Sequence, residues 1–383
     1  MPGRRILAAT AAALLAGGAA FELDRRRLRQ ARDADPEWWE LNSPLEGRPV
    51  EVTSADGTRI HAEVFGHDEA PTIVLIPGWL ERIDLWHHQI RELSKDFRVI
   101  SYDHRGHGQS GAAGRDAYTD EALSDDLHAV LDELLPAGER CLAAGHSLGG
   151  MAIVAWAGRH ADEVPFRLAG VALLNTGMSD FGQRATVLGD HTGAVVHKTA
   201  LRTLLGTEVI WPTWLDRIGY NLVWRAALGP NATPGQVAFA HNMFITTRAQ
   251  ARAGIGRLFM TLDLMPSVAR LTVPAVVVGG RYDRLLPLWY SEQLAEALPD
   301  LVEYVELDSG HMSPVEVPDR VTMHIGRLAR ACLLAHRAAL EGRVILGGAA
   351  ETPDEPAESQ PRPRRRRRAA AQTDDVERDA ASR

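Results

Sequence analysis

Ser147 is the residue whose surroundings point most directly to chemistry. It lies in the segment GHSLG at residues 145–149, which matches the pattern G-x-S-x-G. An apolar run at residues 141–144 precedes the segment and a helical pattern at residues 148–157 follows it. This is the strand–turn–helix context that gives the pattern meaning. A serine in such a turn attacks a carbonyl carbon once a base removes its proton, so the spacing predicts nucleophilic acyl transfer at Ser147.

His311 and Asp283 are the predicted base and its orienting carboxylate. His311 follows the predicted strand 302–307, and Asp283 follows the predicted strand 275–278. Because ligands bind at the carboxyl ends of the strands in open α/β sheets, both side chains are expected beside Ser147. The chain order serine, aspartate, histidine is also the order in which a G-x-S-x-G serine is followed by its partners. All three residues are predicted to be catalytic.

Two other interpretations of the acid stay open at this stage. Asp180 follows the sixth predicted strand and is the alternative carboxylate for the histidine. Asp283 could instead pair on the surface with Arg281 or Arg284, which stand two residues before it and one after it. The catalytic interpretation is favoured because Asp283 follows a strand that ends at the same sheet edge as the nucleophile.

The remaining histidines and the cysteines predict no metal or redox site. His104 and His107 lack the carboxylate–histidine helix pattern of a metal site and are expected to shape their loop. His146 is expected to point to one side of the nucleophile. Cys141 and Cys332 are too few for a thiolate zinc or iron–sulfur site, and we interpret them as buried free thiols. Since no nicotinamide or flavin fingerprint occurs either, we expect no cofactor.

The elements that would position these residues alternate between strands and helices. The predicted strands are 50–54, 60–65, 72–76, 98–102, 141–144, 168–174, 275–278 and 302–307. The predicted helices are 85–93, 120–135, 148–157, 291–298 and 315–338. An opening hairpin followed by repeated strand–helix units predicts an α/β fold, with a mostly parallel sheet and helices on both faces.

Four separated motifs within residues 49–340 give the chain a family resemblance. They are residues 76–79 (IPGW), 103–110 (DHRGHGQS), 145–149 (GHSLG) and 310–311 (GH). In this order they resemble the α/β-hydrolase fold family, in its serine esterase, lipase and haloperoxidase-like branch, and they are similar to motifs of monoacylglycerol lipases. The resemblance implies an eight-stranded sheet with a helical lid inserted after strand 6.

The resemblance also implies an oxyanion hole, in which backbone N–H groups stabilise negative charge on the reacting carbonyl oxygen. The amides of Leu148 and Trp79 are the expected donors, and such donors are worth about 2.7–4 kcal/mol each in the transition state. The loop that carries Trp79 departs from the family pattern, because Pro77 stands where the family usually has histidine. This departure removes an imidazole but no backbone donor.

An insertion of about residues 177–268 interrupts the strand–helix series. It has helical spacing and is too long for a loop inside a compact domain, so it is predicted to be a helical lid above Ser147. The predicted pocket residues within it are Trp211, Trp214, Phe244 and Phe259. An apolar lid favours a small hydrophobic acyl ester over a charged substrate.

Composition and the two ends of the chain complete the predicted domain organisation. The chain has 383 residues, a formal net charge of −8 and 45% hydrophobic residues. This balance excludes a wholly disordered chain and a polytopic membrane protein. Three parts are predicted: an N-terminal apolar, signal- or anchor-like segment with a basic linker at 1–45, an α/β-hydrolase domain at 46–343, and a disordered charged tail at 344–383.

The location of the protein and its macromolecular partners stay open. Residues 6–21 are uncharged and follow two arginines, as in a secretory signal peptide, but five arginines between residues 25 and 32 resist translocation. A secreted or cell-envelope location and a cytoplasmic location are therefore both retained, the former with peripheral membrane association through the N-terminus. The arginine run at 364–368 could attract nucleic acid or anionic lipid; a solvated tail is favoured, and no nucleic-acid partner is expected.

The predicted function is hydrolysis of carboxylic esters of hydrophobic acyl groups through an acyl-enzyme on Ser147. A serine at this position argues against epoxide hydrolase and haloalkane dehalogenase chemistry, for which the related folds use aspartate. The alternative within the class is a thioesterase or haloperoxidase-like perhydrolase with the same triad. The alternative from another class is a non-catalytic ligand-binding protein on the same fold.

Overall fold

An eight-stranded sheet forms the centre of the computed structural model, which describes residues 22, 25–181, 208 and 216–334. The strands are β1 (Arg48–Thr53), β2 (Arg59–Phe65), β3 (Thr72–Ile76), β4 (Arg98–Tyr102), β5 (Cys141–His146), β6 (Leu168–Leu174), β7 (Ala275–Gly280) and β8 (Leu301–Leu307). Their order is β1-β2-β4-β3-β5-β6-β7-β8. β2 runs antiparallel to both neighbours, and the pairs from β4 to β8 are parallel. The predicted mostly parallel sheet of eight strands is confirmed.

Helices occupy most of the connections between the strands. They are α1 (Pro36–Leu41), α2 (His87–Leu93), α3 (Asp120–Leu134), α4 (Leu148–Arg159), α5 (Val164–Arg167), α6 (Asp216–Ala227), α7 (Pro234–Thr246), α8 (Ala249–Leu258), α9 (Met265–Val268), α10 (Leu288–Ala297), α11 (Ser313–Glu316) and α12 (Pro318–Ala329). The predicted helix 315–338 is divided in the structure, because the ring of Pro318 has no N–H with which to continue α11. Its last residues, from 335 onward, lie outside the described residues.

The core lies on both faces of the sheet. Val74 and Ile76 of β3 point to one face and pack in a cluster that includes Trp156 of α4. Ile73 and Leu75 alternate with them and pack in a cluster on the other face. A strand that is covered on both faces reads as a continuous apolar run, and this is why the bounds of β3, β4 and β6 agree with the prediction to the residue.

The insertion between β6 and β7 is helical in its described part. Helices α6 to α9 lie there, whereas residues 182–207 and 209–215 are outside the described residues. Helix α7 begins with a capping box, since the Thr233 side chain accepts the Gln236 amide and the Gln236 side chain accepts the Thr233 amide. The role of this insertion as a lid stays a prediction.

The segment before the sheet packs against the insertion. The Asp35 carboxylate accepts the amide of Glu37 at 3.1 Å and the amide of Gly235 at 2.6 Å, so it joins the first turns of α1 and α7. Leu41 at the end of α1 is buried in the core. In the described part of the chain no helix is long and apolar enough to cross a membrane. Residues 1–21 and 344–383 lie outside the described residues, and the predicted domain boundaries stay predictions.

Candidate active site

Ser147 occupies a strained turn between β5 and α4. Its backbone has φ 49° and ψ −114°, a combination that L-residues rarely adopt and that costs of order 1–3 kcal/mol. The two flanking glycines are required because a Cβ on Gly145 would lie 2.4 Å from the Gly149 carbonyl carbon, and one on Gly149 would lie 2.2 Å from the Ile76 oxygen. Side chains at these two positions would therefore collide with the neighbouring helix and strand.

His311 and Asp283 meet at the same edge of the sheet. The imidazole Nδ1 lies 2.7 Å from Oδ2 of Asp283, and both side chains are buried. The other carboxylate oxygen, Oδ1, accepts the amides of Leu285 at 2.9 Å and Leu286 at 2.8 Å. Since these bonds hold the carboxylate in one orientation, it can fix the tautomer of His311 and leave Nε2 for a proton from a hydroxyl.

The alternative assignments for the acid are not supported by this geometry. Arg281 pairs with Asp308 at 2.8 Å, and Arg284 donates to the carbonyl of Arg225 at 2.8 Å. Neither arginine makes the predicted surface pair with Asp283. Asp180 is exposed and has φ 59°, and the structure places Asp283 instead at the imidazole.

The acidic neighbours of His311 set its basicity. Burial is the largest single effect and lowers the pKa of the imidazole, but the charge and hydrogen bond of Asp283, together with the charges of Glu81 and Glu316, raise it by more. The pKa of His311 is therefore raised above its ordinary value. A raised pKa makes the imidazole a better acceptor for the serine proton, provided that it is neutral before the reaction.

Asn175 is a site residue that the sequence argument missed. It follows β6 directly, has φ 46° and is fully buried. Its Nδ2 donates to Asp283 Oδ2 and to the carbonyl of Gly310, both at 3.1 Å, and its Oδ1 accepts the Ser313 hydroxyl at 2.5 Å. The available signal was a buried amide at the carboxyl end of a central strand, which places it among the other site residues.

The loop after β3 lies directly beside Ser147. A Cβ on Gly78 would stand 3.0 Å from Ser147 Cβ, so the residue that precedes Trp79 lies against the nucleophile. The role of the Trp79 amide as an oxyanion donor stays a prediction. Leu148 is the first residue of α4, where amides have no partner within the helix. His104 Nε2 donates to the carbonyl of Pro77 at 2.9 Å and so supports the loop in which proline replaces histidine.

Glu81 and His146 lie beneath the same loop. The Glu81 carboxylate accepts the Gly78 amide in a very short hydrogen bond, and the same oxygen, Oε2, lies 2.9 Å from His146 Nδ1. The other ring nitrogen of His146, Nε2, lies 2.7 Å from the carbonyl oxygen of His311. Both ring nitrogens of His146 therefore contact groups other than the Ser147 hydroxyl, and the role of Glu81 was not predicted.

The insertion contacts the backbone that carries His311. The carbonyl of Ala227, at the end of α6, accepts the amides of His311 at 2.8 Å and Met312 at 3.2 Å. Glu316 Oε2 accepts the amides of Gly229 at 2.7 Å and Gly310 at 3.1 Å, and burial raises the pKa of this carboxyl. The position of the imidazole therefore depends on α6.

Only part of the predicted pocket can be placed. Phe259 packs edge-on against Trp79, with ring centroids 5.2 Å apart, and it also contacts Phe181 at 5.3 Å. It therefore lies next to the predicted oxyanion loop. Phe244 is buried in α7, and no described contact places it at Ser147. Trp211 and Trp214 lie outside the described residues.

His104 and His107, which are expected to shape their loop, are both fully buried. Burial lowers the pKa of His104 to about 3 and that of His107 to about 4. Among the described residues, ligand spacing for a metal occurs at His128, His160 and Glu163. His160 caps the far end of the 12-residue helix α4, about 20 Å from Ser147 at 1.5 Å per residue.

Comparison with known proteins places this geometry in a class. The model of the alpha/beta hydrolase fold family matches residues 71–225. The protein named "Putative carbamate hydrolase RutD" of Pseudomonas syringae pv. syringae is 30% identical over 257 residues, which cover 66% of this chain and 91% of that protein. The solved enol-lactonase from Burkholderia xenovorans LB400 is 29% identical with a TM-score of 0.59, and the match covers 72% of this chain and 98% of the lactonase.

An esterase shares the fold at lower identity. The thermophilic esterase from Thermogutta terrifontis is 24% identical with a TM-score of 0.61, and the match covers 75% of this chain and 99% of the esterase. The chain belongs to the alpha/beta hydrolase fold family. The family and fold class that the four motifs predicted are confirmed, and the protein is a hydrolase.

Proposed function

We propose that the protein is a serine hydrolase that cleaves carboxylic esters of hydrophobic acyl groups through an acyl-enzyme on Ser147. The observation that carries the proposal is the position of the Asp283–His311 pair at the sheet edge where the strained turn presents Ser147. Three groups that one general-base mechanism requires follow three strands of one parallel sheet. A ligand-binding protein has no need of this combination.

The first half of the proposed reaction forms the acyl-enzyme. His311 Nε2 takes the proton from the Ser147 hydroxyl as its oxygen attacks the ester carbonyl carbon. The amides of Trp79 and Leu148 stabilise the negative oxygen of the tetrahedral intermediate. The imidazolium then gives its proton to the leaving alcohol, and the carbon–oxygen bond to that alcohol breaks.

The second half releases the acid. His311 takes a proton from water, the resulting hydroxide attacks the acyl-enzyme, and Ser147 leaves with the proton returned by the imidazolium. Asp283 remains a carboxylate throughout and stabilises the imidazolium, while Asn175 holds that carboxylate in place. No group outside the protein is needed besides water.

The choice of an ester rests on the surroundings of the nucleophile. Trp79, Phe259 and Phe181 form a chain of aromatic contacts beside the predicted oxyanion loop, and apolar linings with few polar groups favour hydrophobic ligands. The names of the relatives include a carbamate, an enol-lactone and an ester. In all three, the carbonyl carbon also has a single bond to a second oxygen. In an ester, this single bond is the one that the proposed reaction breaks.

A panel of p-nitrophenyl esters from acetyl to decanoyl, together with an enol-lactone and a carbamate, tests the proposal. The wild-type protein should hydrolyse the esters, and Ser147→Ala should lower kcat by about 10⁴–10⁶-fold with the fold retained. A fluorophosphonate should attach to Ser147 in the wild type and not in the variant. An alanine variant that keeps a few per cent of activity, or a wild type inert to every substrate and to the probe, contradicts the proposal.

A further inference from the structure

Glu81 and His146 form a buried pair that the proposed mechanism does not use. Glu81 is 5% exposed and His146 is fully buried. One oxygen of Glu81, Oε2, contacts both the Gly78 amide and His146 Nδ1. His146 Nε2 in turn contacts the carbonyl of His311. Through these contacts the loop beside Ser147 is joined to the loop that carries the base.

The number of protons that Glu81 and His146 hold follows from the groups that they contact. The carbonyl oxygen of His311 can only accept, so Nε2 of His146 must carry a hydrogen. The 2.9 Å contact between Nδ1 and Glu81 Oε2 then needs one more proton, held either by the imidazole or by the carboxyl. Without it, two lone pairs would face each other and an unpaired negative charge would be buried, which is costly. One shared proton therefore joins the two residues.

The loop that Glu81 holds is the one expected to stabilise the oxyanion. The Glu81 amide donates to the Gly78 carbonyl at 3.3 Å, and its side chain returns to the Gly78 amide. The turn between them contains Trp79, the predicted donor, and Leu80 with φ 67°. Because a left-handed leucine is strained, the conformation of this turn depends on the side chain that closes it.

We propose that Glu81 and His146 are positioning residues that share one proton and fix the Trp79 amide and the His311 backbone relative to each other. The inference rests on the proposed function, because these two groups matter together only if both act on one reacting carbonyl. It assigns a role to a carboxylate that touches neither substrate nor the reacting atoms. Its effect is on kcat, since a misplaced oxyanion donor weakens transition-state stabilisation more than substrate binding.

Replacement of Glu81 by glutamine removes the carboxyl group that shares the proton and leaves the size of the side chain nearly unchanged. A single amide atom can accept from the Gly78 amide or donate to Nδ1 of a neutral His146, but not both. A glutamine oxygen could accept from both groups only if His146 were a buried cation without a carboxylate partner, which is costly, so Glu81→Gln loses either a contact or this charge pairing. We expect kcat on the best p-nitrophenyl ester to fall by about 10²-fold, with KM and the melting temperature little changed. The matched control is Glu63→Gln: Glu63 pairs with His61 at 3.1 Å and lines the same cavity of about 290 Å³ as Glu81, and its replacement should leave kcat unchanged.

A double-mutant cycle with His146→Gln shows whether the two residues act together. If they do, the double variant loses little more kcat than the more damaged single variant. Additive losses, an unchanged kcat in Glu81→Gln, or a loss matched by Glu63→Gln overturns the inference. Should Glu81→Gln not fold, Glu81→Asp replaces it in the test, because it keeps the carboxylate but withdraws it by one methylene, and it must also lose kcat.

The same experiment distinguishes failure of this inference from failure of the proposed function. If the wild type hydrolyses no ester, the proposed function fails, and the rate at which a fluorophosphonate labels Ser147 then replaces kcat as the readout. If the wild type is active and Glu81→Gln is equally active, the proposed function stands and the shared-proton role of Glu81 does not.

Discussion

The carboxylate of Asp283 receives hydrogen bonds on both oxygens, and one of its partners is Asn175, which stands 108 residues earlier in the chain. The amide nitrogen of Asn175 spans Asp283 Oδ2 and the carbonyl of Gly310. It therefore fixes the acid relative to the loop of the base. The distance of 2.7 Å between Asp283 and His311 is a property of this three-strand arrangement.

Replacement of Asp283 should lower kcat severely, whereas replacement of Asp180 should lower it little. An asparagine at position 283 would present an NH₂ group to His311 Nδ1 and hold the proton on Nε2, the nitrogen that must accept one. We expect Asp283→Asn to lower kcat by about 10⁴-fold, as the wrong tautomer does in other triads. Asp180→Asn is the matched control. A silent Asp283→Asn together with a severe Asp180→Asn, measured as kcat on one ester, would move the acid to the end of β6.

As the pH is lowered, activity should begin to fall at a higher pH than it would for a base with the ordinary pKa of histidine. The base must be unprotonated, and the pKa of His311 is raised because Asp283, Glu81 and Glu316 together outweigh the effect of burial. The acidic limb of kcat/KM should therefore lie above about pH 6.5, the ordinary value for histidine. A pH profile of kcat/KM on a p-nitrophenyl ester measures it. A limb at or below the ordinary value would argue against an ionised Asp283 beside His311.

Phe259 should contribute to chain-length preference. It packs against Trp79 beside the predicted oxyanion loop, and each buried methylene of an acyl chain adds about 0.8 kcal/mol, nearly fourfold in binding. We expect kcat/KM to rise from acetyl to medium-chain esters in the wild type and to rise less steeply in Phe259→Ala. Trp224→Ala, which removes an aromatic ring that is 45% exposed, should leave the slope unchanged. Equal slopes in all three proteins would remove Phe259 from the acyl pocket.

Arg105 should matter for stability. Its buried guanidinium makes two hydrogen bonds to Asp126, at 2.8 and 2.7 Å, and one to Asp56 at 2.8 Å. Arg105→Ala leaves the Asp126 carboxylate buried without this partner, so the free energy of unfolding should fall by about 3–5 kcal/mol. Urea denaturation measures the loss. Arg281→Ala breaks an exposed pair with Asp308 and should cost about 0–1 kcal/mol; similar losses for both variants would contradict this account.

The sheet and the three proposed catalytic residues could be predicted because local sequence patterns specify the strands and the strained turn. Strands buried on both faces are continuous apolar runs, and the strained turn at Ser147 requires glycines close to it in the chain. The expected position of Asp283 and His311 followed from the parallel direction of the strands that precede them, because parallel strands bring their carboxyl ends to one edge of the sheet.

The supporting residues were not predictable from the same patterns. Glu81 meets His146 across 65 residues and Asn175 meets Asp283 across 108, and no local spacing specifies such contacts. A glutamate in a loop is most often exposed, so nothing in the sequence around Glu81 marked it as buried. The helix 315–338 was predicted from the spacing of apolar residues. This spacing continues past Pro318, where the structure divides the helix.

The two amides that donate to the Ala227 carbonyl have a thermodynamic consequence. Helix α6 ends at Ala227, so a displacement of α6 changes the free energy of placing His311 correctly. Linkage is reciprocal: a ligand that binds the insertion more tightly when the base is in place raises the population of the competent site by the same factor. A ligand with the same affinity for both positions of α6 would leave this population unchanged, however tightly it binds.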